Sequence, residues 1–132
     1  MRMAARLLLF SLAAAIWILS SDPAPDLIPP LFPYQDKLMH FLEFGSLGFA
    51  ISLNRDLFRG SAGLSLASGV LWAGLDEIHQ AYVPGRDCST GDFLADCAGL
   101  AAGFAVRALL SAGAGRRRRL RLMFRERSEG GS

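Results

Sequence analysis

Residues 7–21 read LLLFSLAAAIWILSS, which is 15 residues without a charge, and residues 60–75 read GSAGLSLASGVLWAGL, which is another 16. With their flanking residues, both runs approach the length that an α-helix needs to cross a bilayer. The chain has 132 residues, of which 52% are hydrophobic and only 20% are charged. This composition excludes a disordered chain, and the length excludes several soluble domains. The sequence therefore predicts helices that lie in lipid.

Two other segments extend this pattern to four helices. Residues 36–53, DKLMHFLEFGSLGFAISL, are interrupted only by His40 and Glu43 after a charged start. A last helix is predicted to begin near Ser89, which forms a capping box with Asp92, and to end near residue 110. We therefore expect an all-α, membrane-embedded four-helix bundle.

The segments between these helices divide the chain into parts. Residues 1–21 contain the first transmembrane helix, residues 22–35 a proline-rich external loop, and residues 36–110 a core with the other three helices. The first part also resembles a secretory signal peptide. The sequence SSDPAPD after it offers no clean cleavage site, so we expect the helix to be retained, with cleavage left open.

Two pairs of helix-breaking residues mark further boundaries. Pro84 and Gly85 predict a turn between the third and fourth helices. Gly113 and Gly115 are expected to break the fourth helix before the arginines, and residues 111–132 are predicted to form a basic cytoplasmic tail.

The basic residues indicate how the bundle is oriented. Four spans would place 12 of the 14 Lys and Arg residues on the side of both termini, and only Lys37 and Arg86 on the other. The positive-inside rule then predicts a multi-pass membrane protein with both termini in the cytoplasm. The arginines within residues 116–127 are expected to contact anionic lipid. They do not predict nucleic-acid binding, which would also require a folded recognition module.

Small residues predict where the helices pack. Helices in lipid associate through close backbone approach, which small side chains permit. Such residues recur at every fourth position on the third helix and form a GxxxG motif on the fourth. They are Ser61, Ser65, Gly69 and Ala73 on the third helix, and Gly99 and Gly103 on the fourth.

Ionisable and amide side chains collect near one surface of the predicted bundle. Each such group is costly in the membrane unless it is paired or hydrated, so a cluster of them indicates function. The spacing places them on shared helix faces, and Arg86 lies in the adjoining loop. The predicted binding residues are Asp36, Lys37, His40, Glu43, Asp76, Glu77, Gln80, Arg86, Asp92 and Asp96. A purely structural polar network, with Arg86 paired to Asp92 or Asp76, is the alternative.

The sequence resembles the VanZ-like family of small bacterial membrane proteins, named for a member associated with low-level teicoplanin resistance. Residues 36–48, DKLMHFLEFGSLG, and residues 74–103, GLDEIHQAYVPGRDCSTGDFLADCAGLAAG, carry the resemblance. The positions that match are Asp36, Lys37, His40, Glu43, Asp76, Glu77, Gln80, Pro84, Gly85, Arg86, Asp92, Asp96 and Gly99. The resemblance implies a cell-envelope protein of the bacterial cytoplasmic (inner) membrane and carries no established reaction. His79 and Cys88 are not part of the family pattern.

Two classes of function are compatible with the polar cluster. In the first, an outward-facing site binds the headgroup of a membrane lipid, such as a lipid-linked envelope precursor or another glycan-bearing lipid. Arg86 and Lys37 would meet a phosphate, and carboxylates or Gln80 would accept hydrogen bonds. Loss of the site is expected to change susceptibility to teicoplanin-type glycopeptides.

In the second, a membrane-embedded enzyme acts on a lipid-linked substrate. Glu43, Asp76 or Glu77 would be the catalytic carboxylate, with His40 as a partner of the base. Neither cysteine lies in a nucleophile motif. We predict no cofactor. The metal alternative, with ligands from His40, Glu43, Asp76 and His79, rests on weak i, i+3 pairs. The sequence leaves open whether the protein is an enzyme, what its ligand is, and whether it forms oligomers.

Overall fold

The computed structural model describes residues 2–23 and 31–129. Four α-helices account for most of them: α1 (Arg2–Ser20), α2 (Gln35–Leu53), α3 (Ala62–Gln80) and α4 (Thr90–Glu129). A short 3₁₀ helix, Arg55–Phe58, joins α2 to α3. No strand occurs in these two ranges, so the predicted all-α class is confirmed. Residues 24–30 of the predicted external loop lie outside the described residues.

Serine side chains cap α3 and α4 at their first turns. The Ser61 hydroxyl accepts a hydrogen bond from the Leu64 amide at 3.2 Å, and the Ser89 hydroxyl accepts one from the Asp92 amide at 3.3 Å. The predicted capping box is only half formed, because the Ser89 amide donates to the Glu77 carboxylate at 2.8 Å. The Asp92 carboxylate is therefore available for a partner on another helix.

The prediction that Gly113 and Gly115 end the fourth helix is wrong, because α4 continues through both glycines to Glu129. A glycine inside a helix costs only about 1 kcal/mol relative to alanine. The alanines before these glycines and the arginines after them are good helix formers, which offset that cost. Within the described part of the chain, no group of another element lies within 4 Å of a Cβ atom built at either glycine.

The axis of the bundle is a close contact between α2 and α4. A Cβ atom at Gly48 would lie only 2.6 Å from the Leu100 carbonyl oxygen. A Cβ atom at Gly99 or Gly103 would overlap the backbone of α2 at Phe41 or Gly45. The predicted GxxxG packing face on the fourth helix is therefore confirmed, and its partner surface is the glycine-containing face of α2.

The small-residue face of α3 also packs inward. Ser65, Gly69 and Ala73 are buried, and a Cβ atom at Gly69 would lie 2.8 Å from a methyl carbon of Leu100. Phe44, Leu47 and Leu100 fill the core between the helices. Many large apolar side chains of all four helices remain exposed on the outside.

Length and composition make two of the described helices candidates for membrane spans. These are α1, with a mean hydropathy of 1.9, and residues 90–119 of α4, with 1.6. α2 contains Asp36, Lys37 and Glu43, and α3 ends in the polar sequence DEIHQ.

The alternating direction of the helices creates two distinct ends of the bundle. At one end, Asn54 donates hydrogen bonds to the carbonyls of Ala5 and Ala50, and Arg6 pairs with Asp56 at 3.1 Å. The opposite end, which we call the polar end, contains the last turns of α1 and α3 and the first turns of α2 and α4.

Candidate functional site

Asp76 is the centre of a buried hydrogen-bond network at the polar end. Its carboxylate is fully buried and accepts hydrogen bonds from the Ser20 hydroxyl at 2.7 Å and the Gln80 amide at 3.0 Å. Gln80 also donates to Ser20 at 3.3 Å. α1 is therefore a structural part of the site, although no feature of the sequence singles out Ser20.

A second buried group, which we call the His40 group, consists of His40, Glu77 and Asp96. His40 Nδ1 lies 3.0 Å from Asp96 Oδ1, and one potential metal-binding atom of each residue lies within 4.8 Å of the others. The three side chains come from α2, α3 and α4. His40 thus pairs with Asp96, whereas the expected partner in a catalytic pair was Glu43 or Asp76.

Lys37 joins α2 to the start of α4. Its ammonium group donates to Asp92 at 2.9 Å and to Asp36 at 3.0 Å. Asp92 is nearly buried and Asp36 is exposed, so the contact with Asp92 is the one that ties the two helices together.

Arg86 binds the carboxyl end of α1. Its guanidinium group donates to the carbonyls of Leu19 at 2.9 Å and Asp22 at 3.3 Å. A cation is favourable there because the last carbonyls of a helix carry partial negative charge. The Pro84–Gly85 turn is formed as predicted, with Gly85 at φ 82°. Pairing of Arg86 with Asp92 or Asp76, the structural alternative considered above, is not observed.

A cavity of about 870 Å³ opens at the polar end between α1, α2, α3 and the turn at residues 31–34. Five of the ten predicted binding residues line it. They are Asp36, His40, Glu43, Gln80 and Arg86. The other five hold the surrounding helices together or lie behind the wall; they are Lys37, Asp76, Glu77, Asp92 and Asp96.

Glu43 is the carboxylate that remains available inside the cavity. It is half-buried, and it makes no side-chain hydrogen bond to any residue that the structure describes. Aromatic and apolar side chains of Phe32, Tyr34 and Met39 form much of the remaining wall. The cavity therefore offers hydrogen-bond acceptors beside an apolar surface, which is typical of a binding site for an amphipathic molecule.

His79 lies outside this arrangement. Its ring stacks on Trp17 with centroids 4.1 Å apart, and its Nε2 lies 2.9 Å from the Ser21 hydroxyl. Asp76 instead bonds to Ser20 and Gln80. The weak metal set inferred from the i, i+3 pairs, namely His40, Glu43, Asp76 and His79, is therefore divided between different contacts.

The two cysteines are free thiols. Cys88 is exposed in the segment between α3 and α4, whereas Cys97 is half-buried on α4. Desolvation and the nearby Glu77 carboxylate raise the pKa of Cys88, which keeps its thiol protonated and poorly nucleophilic near neutral pH.

Comparison with known proteins identifies the family. A model of the VanZ/LLP1 family matches residues 3–111, which include α1, α2, α3 and the first half of α4. The match extends on both sides of residues 36–103, which carried the resemblance in the sequence. No curated protein and no solved structure matches the chain.

Proposed function

The chain belongs to the VanZ/LLP1 family, and from this we propose that it is an integral membrane protein of the bacterial cell envelope whose cavity binds the headgroup of an envelope lipid or glycan. The observation that carries the proposal is the cavity itself. Carboxylate, imidazole and amide groups from Glu43, His40 and Gln80 line it beside apolar side chains. A lipid would match this lining, with its headgroup at the polar groups and part of its tail against the apolar side chains.

The outer surfaces of α2 and α3 support four spans. Leu42 is 52% exposed on α2, and Leu71 and Ile78 are 65% and 57% exposed on α3. These apolar side chains point away from the core, and their burial in lipid would be favourable. Each helix has 19 residues, or roughly 28 Å at 1.5 Å per residue, close to the ~30 Å hydrocarbon core of a bilayer.

The charge distribution supports an outward-facing cavity and cytoplasmic termini. Lys37 and Arg86 lie at the polar end, and the other 12 basic residues belong to the opposite end or to the last part of α4. Arg116 follows Thr90 by roughly 39 Å of helix, which is longer than the hydrocarbon core. The cluster that begins at Arg116 would therefore reach the anionic lipid of the cytoplasmic leaflet.

The contacts of α1 support its retention in the mature protein. Ser20 is buried against Asp76 and Gln80, and Arg86 binds the last carbonyls of the helix. The family match also begins at residue 3. Removal of α1 would leave these buried polar groups without their partners.

The charges around the cavity favour a ligand that is rich in hydrogen-bond donors. Arg86 already donates to two backbone carbonyls, and Lys37 to two carboxylates. Glu43 and Asp36 are acceptors that line the cavity. Sugar hydroxyls or an amine therefore fit the cavity better than the phosphate contact suggested by Arg86 and Lys37 in the sequence.

Native mass spectrometry of the full chain, purified from bacterial membranes in mild detergent, tests headgroup binding. We expect a bound lipid on the wild type and its loss in Glu43→Gln, which keeps the side-chain shape. Asp56→Asn, at the other end of the bundle, is the matched control and should retain the lipid. The proposal would be refuted if the wild type carries no bound lipid. It would also be refuted if Glu43→Gln and Arg86→Ala retain as much lipid as the wild type.

A role in glycopeptide susceptibility follows from the same site. Cells that express the wild-type chain should differ in teicoplanin susceptibility from cells that express equal amounts of Glu43→Gln. Equal susceptibility of the two strains would contradict a role of the site in drug tolerance and would leave lipid binding unaffected.

A membrane-embedded enzyme is the second candidate, and the pairing of His40 with Asp96 beside the cavity favours it. A histidine held by a carboxylate can act as a general base. Incubation with a lipid-linked glycan would release the headgroup if this candidate is correct. Asp96→Asn should then abolish release while lipid retention persists.

A further inference from the structure

We propose that His40, Glu77 and Asp96 bind a divalent transition metal ion, for which Zn²⁺ is the best fit. The three side chains come from α2, α3 and α4 and are all buried. The inference does not depend on what occupies the cavity.

Unpartnered carboxylate oxygens are the first argument. Asp96 is fully buried and Glu77 is 4% exposed. Asp96 Oδ2 and Glu77 Oε1 have no hydrogen-bond partner within the described ranges, although the other oxygen of each carboxylate has one. A buried acceptor without a partner is costly, and a cation bound beside these two carboxylates lowers that cost.

The geometry of the donor atoms is the second argument. His40 Nδ1 and Asp96 Oδ1 are 3.0 Å apart. Two ligands of a tetrahedral zinc ion, with bonds of about 2.0–2.1 Å, are separated by about 3.3 Å. One donor atom of Glu77 lies within 4.8 Å of one from each of the other two residues, so small side-chain movements would complete the set. The metal would replace the proton between His40 and Asp96.

The charge of the two carboxylates and the hydrogen bond that holds Glu77 also fit a metal site. The two carboxylates together carry the charge that neutralises a divalent ion. Glu77 is held in place by the Ser89 amide, as outer hydrogen bonds commonly orient metal ligands. One imidazole and two carboxylates favour Zn²⁺ or a similar transition metal over Ca²⁺ or Mg²⁺, which prefer sites made of oxygen alone.

Such a site would lie against the wall of the cavity, because His40 lines the cavity and Glu77 and Asp96 lie behind it. Three protein ligands leave one position of a tetrahedral ion for water or another ligand. The metal would also link three helices, so its removal should destabilise the bundle.

Metal analysis of the purified full chain tests the site without any lipid. The protein is stripped with EDTA, dialysed against Zn²⁺ and measured by inductively coupled plasma mass spectrometry and thermal unfolding. We expect about one Zn²⁺ per chain and a rise in melting temperature that EDTA reverses. A chain that binds no Zn²⁺ and shows no thermal shift, or one that prefers Mg²⁺ or Ca²⁺, would overturn the proposal.

Matched variants locate the site. Glu77→Gln and Asp96→Asn should weaken Zn²⁺ affinity by at least about tenfold, because even loss of an outer-shell partner costs about 10–100-fold. Glu43→Gln, which removes a nearby carboxylate outside the His40 group, should bind Zn²⁺ as the wild type does. Wild-type Zn²⁺ affinity in Glu77→Gln and Asp96→Asn, with weakened affinity in Glu43→Gln, would refute the assignment. Glu43→Gln therefore separates failure of this site from failure of headgroup binding.

Discussion

At the scale of single residues, the polar end depends on how each buried carboxylate is satisfied. Asp76 accepts from two side-chain donors, both through Oδ2, whereas Glu77 and Asp96 each have one partner. Among the described residues, the second oxygen of all three carboxylates has no hydrogen-bond partner, so it is the partners they do have that distinguish these neighbouring acidic residues. Asp76 joins α1 to α3, and the other two form the candidate metal site.

Replacement of Asp76 by alanine is expected to destabilise the bundle. Ser20 and Gln80 would lose their buried acceptor, at a cost of about 1–3 kcal/mol. Thermal unfolding in detergent should show a clearly lower melting temperature for Asp76→Ala than for the wild type. Asp36→Ala is the control, because Asp36 is exposed and should change stability little. Equal effects of the two variants would contradict the assigned role of Asp76.

The residues that collect at the polar end were predictable from the sequence, but the contacts between them were not. Helical spacing placed Asp36, His40 and Glu43 on one face, and all ten predicted binding residues do lie at or near the polar end. Spacing within one helix does not determine which side chain of a neighbouring helix it meets. The contact between His40 and Asp96 depends on how α2 and α4 are rotated, which their glycines determine.

At the scale of helices, the contact between α2 and α4 determines the geometry of the polar end. Gly99 and Gly103 bring α4 so close that their missing Cβ atoms would overlap the backbone of α2. Lys37 and His40 can therefore reach Asp92 and Asp96 directly. The four helices were predictable from apolar runs and the Ser89 cap, but the end of α4 was not, because α4 continues past the predicted end near residue 110 to Glu129.

Substitution of Gly103 by alanine tests this contact. The added methyl group would meet the Gly45 carbonyl and the Phe49 amide, which cannot move without the helix. Overpacking of this kind typically costs about 1–3 kcal/mol, so the melting temperature should fall. Gly63→Ala, in an open position of α3, should keep or slightly raise it. A Gly103→Ala protein as stable as Gly63→Ala would contradict the packing.

The continuation of α4 through Gly113 and Gly115 also makes a prediction. Beyond the neighbouring backbone of α4 itself, a Cβ atom at either position would have no atom of the described residues within 4 Å. Replacement of both glycines by alanine should therefore stabilise the helix by up to about 1 kcal/mol at each site. Circular dichroism of the double variant should show the same helical content as the wild type, because α4 is already continuous through both glycines. A clear gain of helical content would indicate that the glycines break α4 in the wild type.

At the scale of the whole molecule, the four helices form a bundle with a polar end and an end rich in basic residues. The arginines and the carboxylates could be assigned to opposite ends from the sequence. The position of each charged residue relative to the four apolar runs determines the end at which it lies. The sequence could not place the cavity, which exists only where α1, α2, α3 and the turn at residues 31–34 meet.

Whether α1 is retained in the mature protein can be measured directly. Because Ser20 and Arg86 connect α1 to the site, the chain isolated from membranes should retain the first helix. Intact-mass spectrometry should give a mass near the 14.2 kDa of the full sequence. A product shortened by about 20 residues would show that α1 is a cleaved signal peptide.

The central claim is that the polar end lies on the outer side of the membrane. Labelling of the exposed Cys88 thiol tests this orientation. A membrane-impermeant maleimide should label Cys88 in intact cells, faster as pH rises because the pKa of this thiol is raised. Cys88→Ser should remove the label. A cysteine at Ser111 of that variant should react only after the membrane is opened. Labelling of Ser111→Cys but not of Cys88 in intact cells would contradict the account.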